Sequence, residues 1–374
     1  MQNWTNWIWQ EKNSIQTIKA LEEKINWFKL NTSNSKTKLS IKITPYYLSL
    51  IDKKDKNDPL AKIVVPSELE LKTNNLELIN PIGDAEQNEE INNKATEMLV
   101  HRYQDRALIL TTDTCASHCR YCFRRSIVCK GKLKNTKKEL QKSIGYIKKN
   151  PHIKEVILSG GDPLSLSDKK LKEILQKLSK IKHVRLIRIH TRFPVYNPFR
   201  VTPNLTKSLK SSKKELWVVL HIAHPREITS ELENAIKLFR KADIALLNQT
   251  VLAKGINDNL EILKELSYRL AENHIKPYYL HYPDMAIGTS HFRIPLKQAI
   301  ELHKNLIGHL SGYLVPQLTL DIPKGYGKIP LIHNFISEIK TLNETKFIEV
   351  ESPLVKDKNG KHKKSFYQEV LTYD

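Results

Sequence analysis

Three of the four cysteines fall within the short stretch TTDTCASHCRYCFRRS, as Cys115, Cys119 and Cys122 in the spacing C-x3-C-x2-C. Thiolates are the ligands of iron-sulfur clusters, and a cubane cluster has four irons. Three protein ligands therefore leave one iron open to a small molecule, as catalytic metal sites keep a free position while structural ones are closed. The fourth cysteine, Cys129, follows seven residues later. It is read as a bystander, although in principle it could close the site. A structural zinc site is the competing reading. It needs a fourth Cys or His at suitable spacing, and only His118, inside the motif, is close in sequence.

These residues need a frame. From about residue 105, apolar β-prone runs (ALILTT, EVILSGG, VRLIRIH, LWVVLHI, ALLNQTV and KPYYLHY) alternate with stretches of helical period, such as SDKKLKEILQKLSKI and TSELENAIKLFRKA. Several of the latter open on Ser, Thr or Asp in an N-cap position. Strand then helix, repeated about six times, predicts a parallel sheet wound by right-handed crossovers, an α/β barrel or partial barrel. In such folds the chemistry gathers at the C-terminal strand ends. The cysteine motif follows the first strand run and LSGGDPL (Leu158 to Leu164) the second, where glycine permits close backbone approach. The chain divides into an N-terminal helical arm and linker over 1–100, the barrel over 101–331, and a C-terminal extension over 332–374 that reads as a strand and polar tail. Neither a solenoid repeat nor a long low-complexity segment is found.

Composition bounds the function class. A hydrophobic content of 40% and a charged content of 27% over 374 residues describe a soluble globular chain. No apolar run approaches the roughly 20 residues of a membrane span. The start, MQNWTNWIWQEKNSI, lacks a basic region followed by an apolar one, so a signal peptide is not expected and the chain is read as cytoplasmic. Clustered cysteines in a reducing compartment point to metal or redox chemistry rather than disulfides. The net charge of +21 is mostly lysine spread over helices and loops. It reads as a solvated surface, with an acidic macromolecular partner as the alternative.

With Tyr121 before the last cysteine and LSGGDPL after the second strand, the pattern resembles the radical S-adenosylmethionine superfamily. Within it, ITPYYLSLID, HRYQDRALILTTDTC, CRYCFRR, HPREIT, NQTVLAKGIND, PYYLHYPDMAIGTSHFR, SGYLVPQ and DIPKGYGKIPL resemble the lysine 2,3-aminomutase family, from WIWQEKNSI to about Pro330. The resemblance implies a partial (β/α)6 barrel that uses a [4Fe-4S] cluster on Cys115, Cys119 and Cys122, S-adenosylmethionine contacted by Gly160, Gly161 and Asp162, and pyridoxal 5'-phosphate. Lys328 falls where the family's Schiff-base lysine lies, in a Gly/Pro-rich turn that suits an amine exchanging one imine for another. Arg124 matches the arginine that binds the substrate carboxylate, a geometry suited to a guanidinium fork; without the motif it would read as a surface charge like Arg125. Asp284 and Asp321 match the two positions that grip the distal ammonium of lysine, favouring lysine over glutamate. Arg102, Tyr103, Arg192 and Gln249 match contacts to the cofactor phosphate, and Arg106 is expected to orient the acidic pair.

The implied activity is an isomerase, an intramolecular 1,2-amino shift converting lysine to β-lysine. A 5'-deoxyadenosyl radical takes a hydrogen from Cβ of lysine, and the electron comes from a donor such as a flavodoxin or ferredoxin. Two departures matter. Relatives that bind zinc at a subunit interface use a C-terminal cysteine cluster and an internal cysteine; here Asn259 stands in GINDN and no cysteine follows Cys129, so a homo-oligomer would form without interfacial zinc. In addition, CRYCFRR and RIHTRFPV are similar to the branch that makes (R)-β-lysine to modify elongation factor P. A reading from another class, a nucleic-acid-binding metalloprotein, is separated by iron and sulfide against zinc in anaerobically purified protein. No membrane or nucleic-acid partner is expected.

Overall fold

The computed structural model describes residues 3–30, 40–73, 75–84, 96–128, 133, 136–342 and 345–368. Cys129 lies outside them. The six expected strands form as β2 (Arg106–Thr112), β3 (Glu155–Gly160), β4 (Leu186–Thr191), β5 (Glu215–Leu220), β6 (Ala245–Val251) and β7 (Lys276–His281). Each pairs in parallel with the next, and a seventh parallel strand, β8 (Gln317–Ile322), follows β7. Antiparallel strands β1 (Leu99–Tyr103) and β9 (Gly327–Pro330) flank the set, so the sheet runs in sequence order from β1 to β9. This is the partial barrel that the resemblance implied, with one parallel strand more than the six counted from sequence. β8 escaped because QLTLDI alternates apolar with polar residues and its C-terminal half is only partly buried.

The crossover helices are amphipathic and capped as their sequences predict. Helix Asp168–Ser179 buries Leu171, Ile174, Leu175 and Leu178 behind an N-cap at Ser167; helix Ser230–Lys241 buries Leu232, Ala235, Ile236 and Phe239 behind Thr229. Asn259 caps helix Leu260–Glu272, its side chain accepting from the amides of Glu261 and Ile262.

The N-terminal segment does not stand apart as an arm. Leu21, Ile25, Ile43, Tyr47 and Ile63 are buried in the same cluster as the strand residues Val156, Leu158, Ile189 and Val218. At about 1.5 to 3 kcal/mol for each fully buried large apolar side chain, this packing joins residues 3–30 and 40–65 to the barrel. The C-terminal extension is a three-stranded antiparallel sheet, β10 (Ile336–Leu342), β11 (Thr345–Lys356) and β12 (His362–Gln368), where one strand and a tail were expected. Among the described residues, no helix is long and apolar enough to cross a membrane.

Candidate active site

The cysteine loop leaves the end of β2 and is tied down from several sides. Arg120, fully buried, donates to both carboxylate oxygens of Glu70 at 2.7 and 2.8 Å, and Arg125 reaches the same carboxylate at 2.6 Å. Burial alone would raise the Glu70 pKa, but the two guanidiniums hold it below the usual carboxylate range. Arg125 is thus no surface charge. It also donates to the carbonyls of Ile287 and Gly288, binding the cysteine loop to the loop after β7.

The glycines of LSGGDPL serve a contact that sequence reasoning assigned only to a ligand. Gly160 has φ +122°, and a Cβ on it would collide with the Thr112 carbonyl; on Gly161 it would collide with that of Thr114. The close approach lets the Gly161 and Asp162 amides donate to these carbonyls at 2.6 and 2.8 Å. Asp162 then turns inward. Its carboxylate accepts from the Leu164, Arg192 and Phe193 amides and the Thr191 hydroxyl at 2.7 to 3.0 Å, lacing the end of β3 to the end of β4. Backbone donors therefore already engage both Asp162 oxygens.

Cys119 Sγ lies 2.9 Å from the Tyr196 hydroxyl. Burial raises the Cys119 thiol, and burial together with the Cys119 charge pushes Cys122 up to about 12. These thiols keep their protons until a metal displaces them. Arg192 acts on Cys119, and Arg124 and Arg125 on Cys122, each favouring the thiolate. Among the described residues, no three His, Cys, Asp or Glu side chains close on one ion-sized point. Three sulfurs of one loop, set among guanidiniums, suit an anionic cluster that spreads its ligands over several irons.

Arg124 points from this loop into the barrel mouth. Its Nη1 donates to Ser159 Oγ at 3.0 Å, while Nε and Nη2 hold Asp84 Oδ2 at 2.8 and 2.7 Å. The other oxygen of Asp84 faces Arg102 at 3.4 Å. Asp84 ends residues 75–84, read from sequence as linker. The segment is a strap across the mouth: Leu78 pairs with the backbone of Met285 and Ile287, buried Glu77 accepts from Arg293 at 3.0 Å and from the Gly288 amide at 2.9 Å, and the Pro81 carbonyl accepts from the Lys324 amide.

At the far side, Lys328, the second residue of β9, stands directly opposite Asp321 on β8. Its ammonium bonds the Asp321 carboxylate and stands 3.1 Å from His281 Nδ1 and 5.5 Å from the Tyr279 ring centre. Asp284 and Asp321 line one cavity of about 390 Å³ together with Tyr282, Arg293 and Leu320. Burial, then the Asp321 charge, pushes Asp284 up to about 7, against the opposing pull of Lys328 and Arg124. The acidic pair, Lys328 and Arg124 therefore share one electrostatic field. His190, His221 and His281 complete the interior, and burial holds all three well below the ordinary histidine value, hence neutral. The buried His190 Nε2 and Arg102 Nε have no protein partner. Such orphans at a half-buried amine, beside an aromatic face, suit a planar, phosphorylated cofactor such as pyridoxal phosphate.

The four residues assigned to that phosphate separate. The Tyr103 hydroxyl accepts from the Lys328 amide at 2.9 Å, and Arg102, already on Asp84, also bonds the Ile82 carbonyl. Gln249 lies 3.4 Å from His190. Arg192 is drawn to the cysteine end, on Glu227 at 2.5 Å and the Tyr121 hydroxyl at 2.7 Å. Arg106 corrects another expectation: it pairs with Asp105 at 2.9 Å and lies over the Tyr103 ring, not on the acidic pair. Sequence reasoning missed Asp84, Ser159, His281 and Glu227. His281 alone carried a usable signal, as a histidine at the C-terminal end of a parallel strand, where catalytic groups gather.

Residues 109–266 match the Radical SAM superfamily. Curated relatives span nearly the whole chain. An L-lysine 2,3-aminomutase of Clostridium subterminale is 39% identical over 89% of this chain and 79% of its own length, and one of Methanococcus maripaludis is 40% identical over 89% and 77%. A glutamate 2,3-aminomutase of Clostridioides difficile is 35% identical over 90% of this chain and 78% of its own.

Proposed function

The chain belongs to the lysine 2,3-aminomutase family of radical S-adenosylmethionine isomerases, and from that premise we propose that it moves the α-amino group of L-lysine to Cβ, giving β-lysine, with pyridoxal phosphate on Lys328. The observation that carries the choice of lysine is the pair Asp284 and Asp321 in one cavity, in the field of Lys328 and Arg124. An ammonium entering between two carboxylates relieves their repulsion; a second carboxylate there would add to it.

When bound, the cluster and S-adenosylmethionine supply the radical, and pyridoxal phosphate stabilises the shifting amine. Cys115, Cys119 and Cys122 would hold the cluster, with S-adenosylmethionine beside Gly160 and Gly161. Arg102, Tyr103 and Gln249 reach toward the pyridoxal site, while Arg192 is the weakest of the phosphate candidates because Glu227 and Tyr121 already hold it. Asp321, which bonds the Lys328 ammonium, is placed to take the proton that this amine must shed before it acts as a nucleophile, while neutral His281, 3.1 Å from the same amine, holds it in position. Arg124 takes the substrate carboxylate and the acidic pair its ammonium, so the carbon between them is held still. Such positioning is worth several kcal/mol of barrier. The buried interior keeps water and stray hydrogen donors from the radical. A reading on the elongation factor P branch performs the same shift on lysine, and the handedness of the product separates the two.

A pH dependence follows from Asp284. Its pKa is raised to about 7 by burial and Asp321, so without substrate it is largely protonated below that pH. An ammonium favours the carboxylate, so lysine binding releases a proton and tightens as pH rises through about 7, by up to about tenfold per unit on the acid side. The folding contribution has the opposite sign: a raised carboxyl pKa gives stability that is full below its ordinary value and is lost as pH rises through about 7. Calorimetric lysine binding in buffers of different ionisation enthalpy, at pH 6 and pH 8, reads both the proton release and the affinity change. Equal affinities with no proton released remove Asp284 from the ammonium site. The function itself is tested by anaerobic incubation of the reconstituted chain with lysine, S-adenosylmethionine, pyridoxal phosphate and dithionite, followed by product analysis.

A further inference from the structure

We propose that Tyr196 donates a hydrogen bond to the sulfur of Cys119 and thereby raises the reduction potential of the cluster that the cysteine loop holds. The inference rests on the cluster alone, not on lysine or pyridoxal phosphate.

The Tyr196 hydroxyl lies 2.9 Å from Cys119 Sγ, on a side chain only 2% exposed. Three contacts fix it there. The Tyr47 ring meets it edge-on at 4.7 Å, the Arg192 guanidinium lies 4.9 Å from its ring centre, and Thr44 Oγ1 donates to its main-chain carbonyl at 2.5 Å. Arg192 is itself clamped by Glu227, so the tyrosine has a rigid bed. A thiolate bound to iron has no proton to give; in the loaded protein the hydroxyl must therefore be the donor. A hydrogen bond to a ligand sulfur draws negative charge off the cluster, which favours the reduced, more negative state. Tyr196 does not line the acidic cavity.

The test is a dithionite titration of the reconstituted, full-length chain under anaerobic conditions, without lysine, followed by electron paramagnetic resonance. Tyr196→Phe removes one oxygen and keeps the packing. With iron and sulfide content equal to that of the unaltered protein, its midpoint is expected to fall, a tenfold change in this one-electron equilibrium being 59 mV. An unchanged or raised midpoint overturns the proposal. After exchange into deuterated water, the reduced unaltered protein should show a deuteron coupled to the cluster that the variant lacks; equal coupling in both also overturns it. If the variant fails to take up iron, 3-fluorotyrosine placed at position 196, a more acidic donor, should raise the midpoint, and an unmoved midpoint is then the contradicting result.

Discussion

Lys328→Ala is expected to abolish lysine turnover while the iron-sulfur signal and the reductive cleavage of S-adenosylmethionine survive. On the proposed reading the amine is the covalent anchor of pyridoxal phosphate, and among the described residues no other lysine bonds both a carboxylate of the acidic pair and a neutral histidine. The substitution leaves the frame in place, because Tyr103 holds residue 328 through its main-chain amide. The cysteine loop is braced independently by Glu70 through Arg120 and Arg125. The measurements are β-lysine formed, the absorbance of bound pyridoxal phosphate with its loss on borohydride treatment, and the cluster signal of the same sample. Turnover retained without an added amine sinks the assignment. Lys328→Arg keeps a positive partner for Asp321 and should be equally inactive, which separates loss of the amine from loss of the charge.

Asp284→Asn carries the second large effect. Asp284 is half-buried, and its pKa of about 7 reflects burial first and the repulsion of Asp321 second. With lysine bound, the ammonium offsets both. Removing one partner of a buried ion pair costs about 3 to 5 kcal/mol, so kcat/KM for lysine should fall by about two to three and a half powers of ten. S-adenosylmethionine binding should be almost untouched, because the cysteine loop is tied to the loop after β7 through the carbonyls of Ile287 and Gly288 rather than through the Asp284 carboxylate. The pH dependence of lysine binding near 7 should vanish with the carboxyl. An unaltered lysine affinity excludes the ammonium role.

The two variants probe opposite ends of a site whose legibility in the sequence was uneven. The strands were readable because parallel strands buried on both faces write continuous runs such as EVILSG. The cysteine spacing was readable because one short loop supplies all three ligands. What the sequence concealed depends on tertiary contact. Asp84 looks like a polar linker residue, and only the strap geometry brings it to Arg124 and Arg102. Arg125 looks like a surface charge next to another arginine, but Glu70 pulls it inward from about fifty residues away in the chain. Arg192 was matched to a phosphate by its motif, and Glu227, in a different motif, claims it. The three neutral histidines stand on or just past separate strands, so nothing in any one segment announces that they meet.

The strap has one more consequence for substrate entry. Arg124 spends its Nε and Nη2 on Asp84 and its Nη1 on Ser159. On the proposed reading a substrate carboxylate shares this guanidinium with Asp84, so the carboxylate end of the site is already neutralised, while the acidic pair at the other end, which Lys328 meets through Asp321, takes the substrate's ammonium. That asymmetry again favours a dibasic substrate over a dicarboxylic one, and it bears on the comparison with a relative that is a glutamate 2,3-aminomutase.

The most direct test of the lysine reading is a competition. The anaerobically reconstituted chain, given equal concentrations of L-lysine and L-glutamate with S-adenosylmethionine, pyridoxal phosphate and dithionite, is expected to yield β-lysine and leave glutamate unchanged. Formation of β-glutamate, or no β-amino acid at all from a sample whose cluster is intact and reducible, would contradict it.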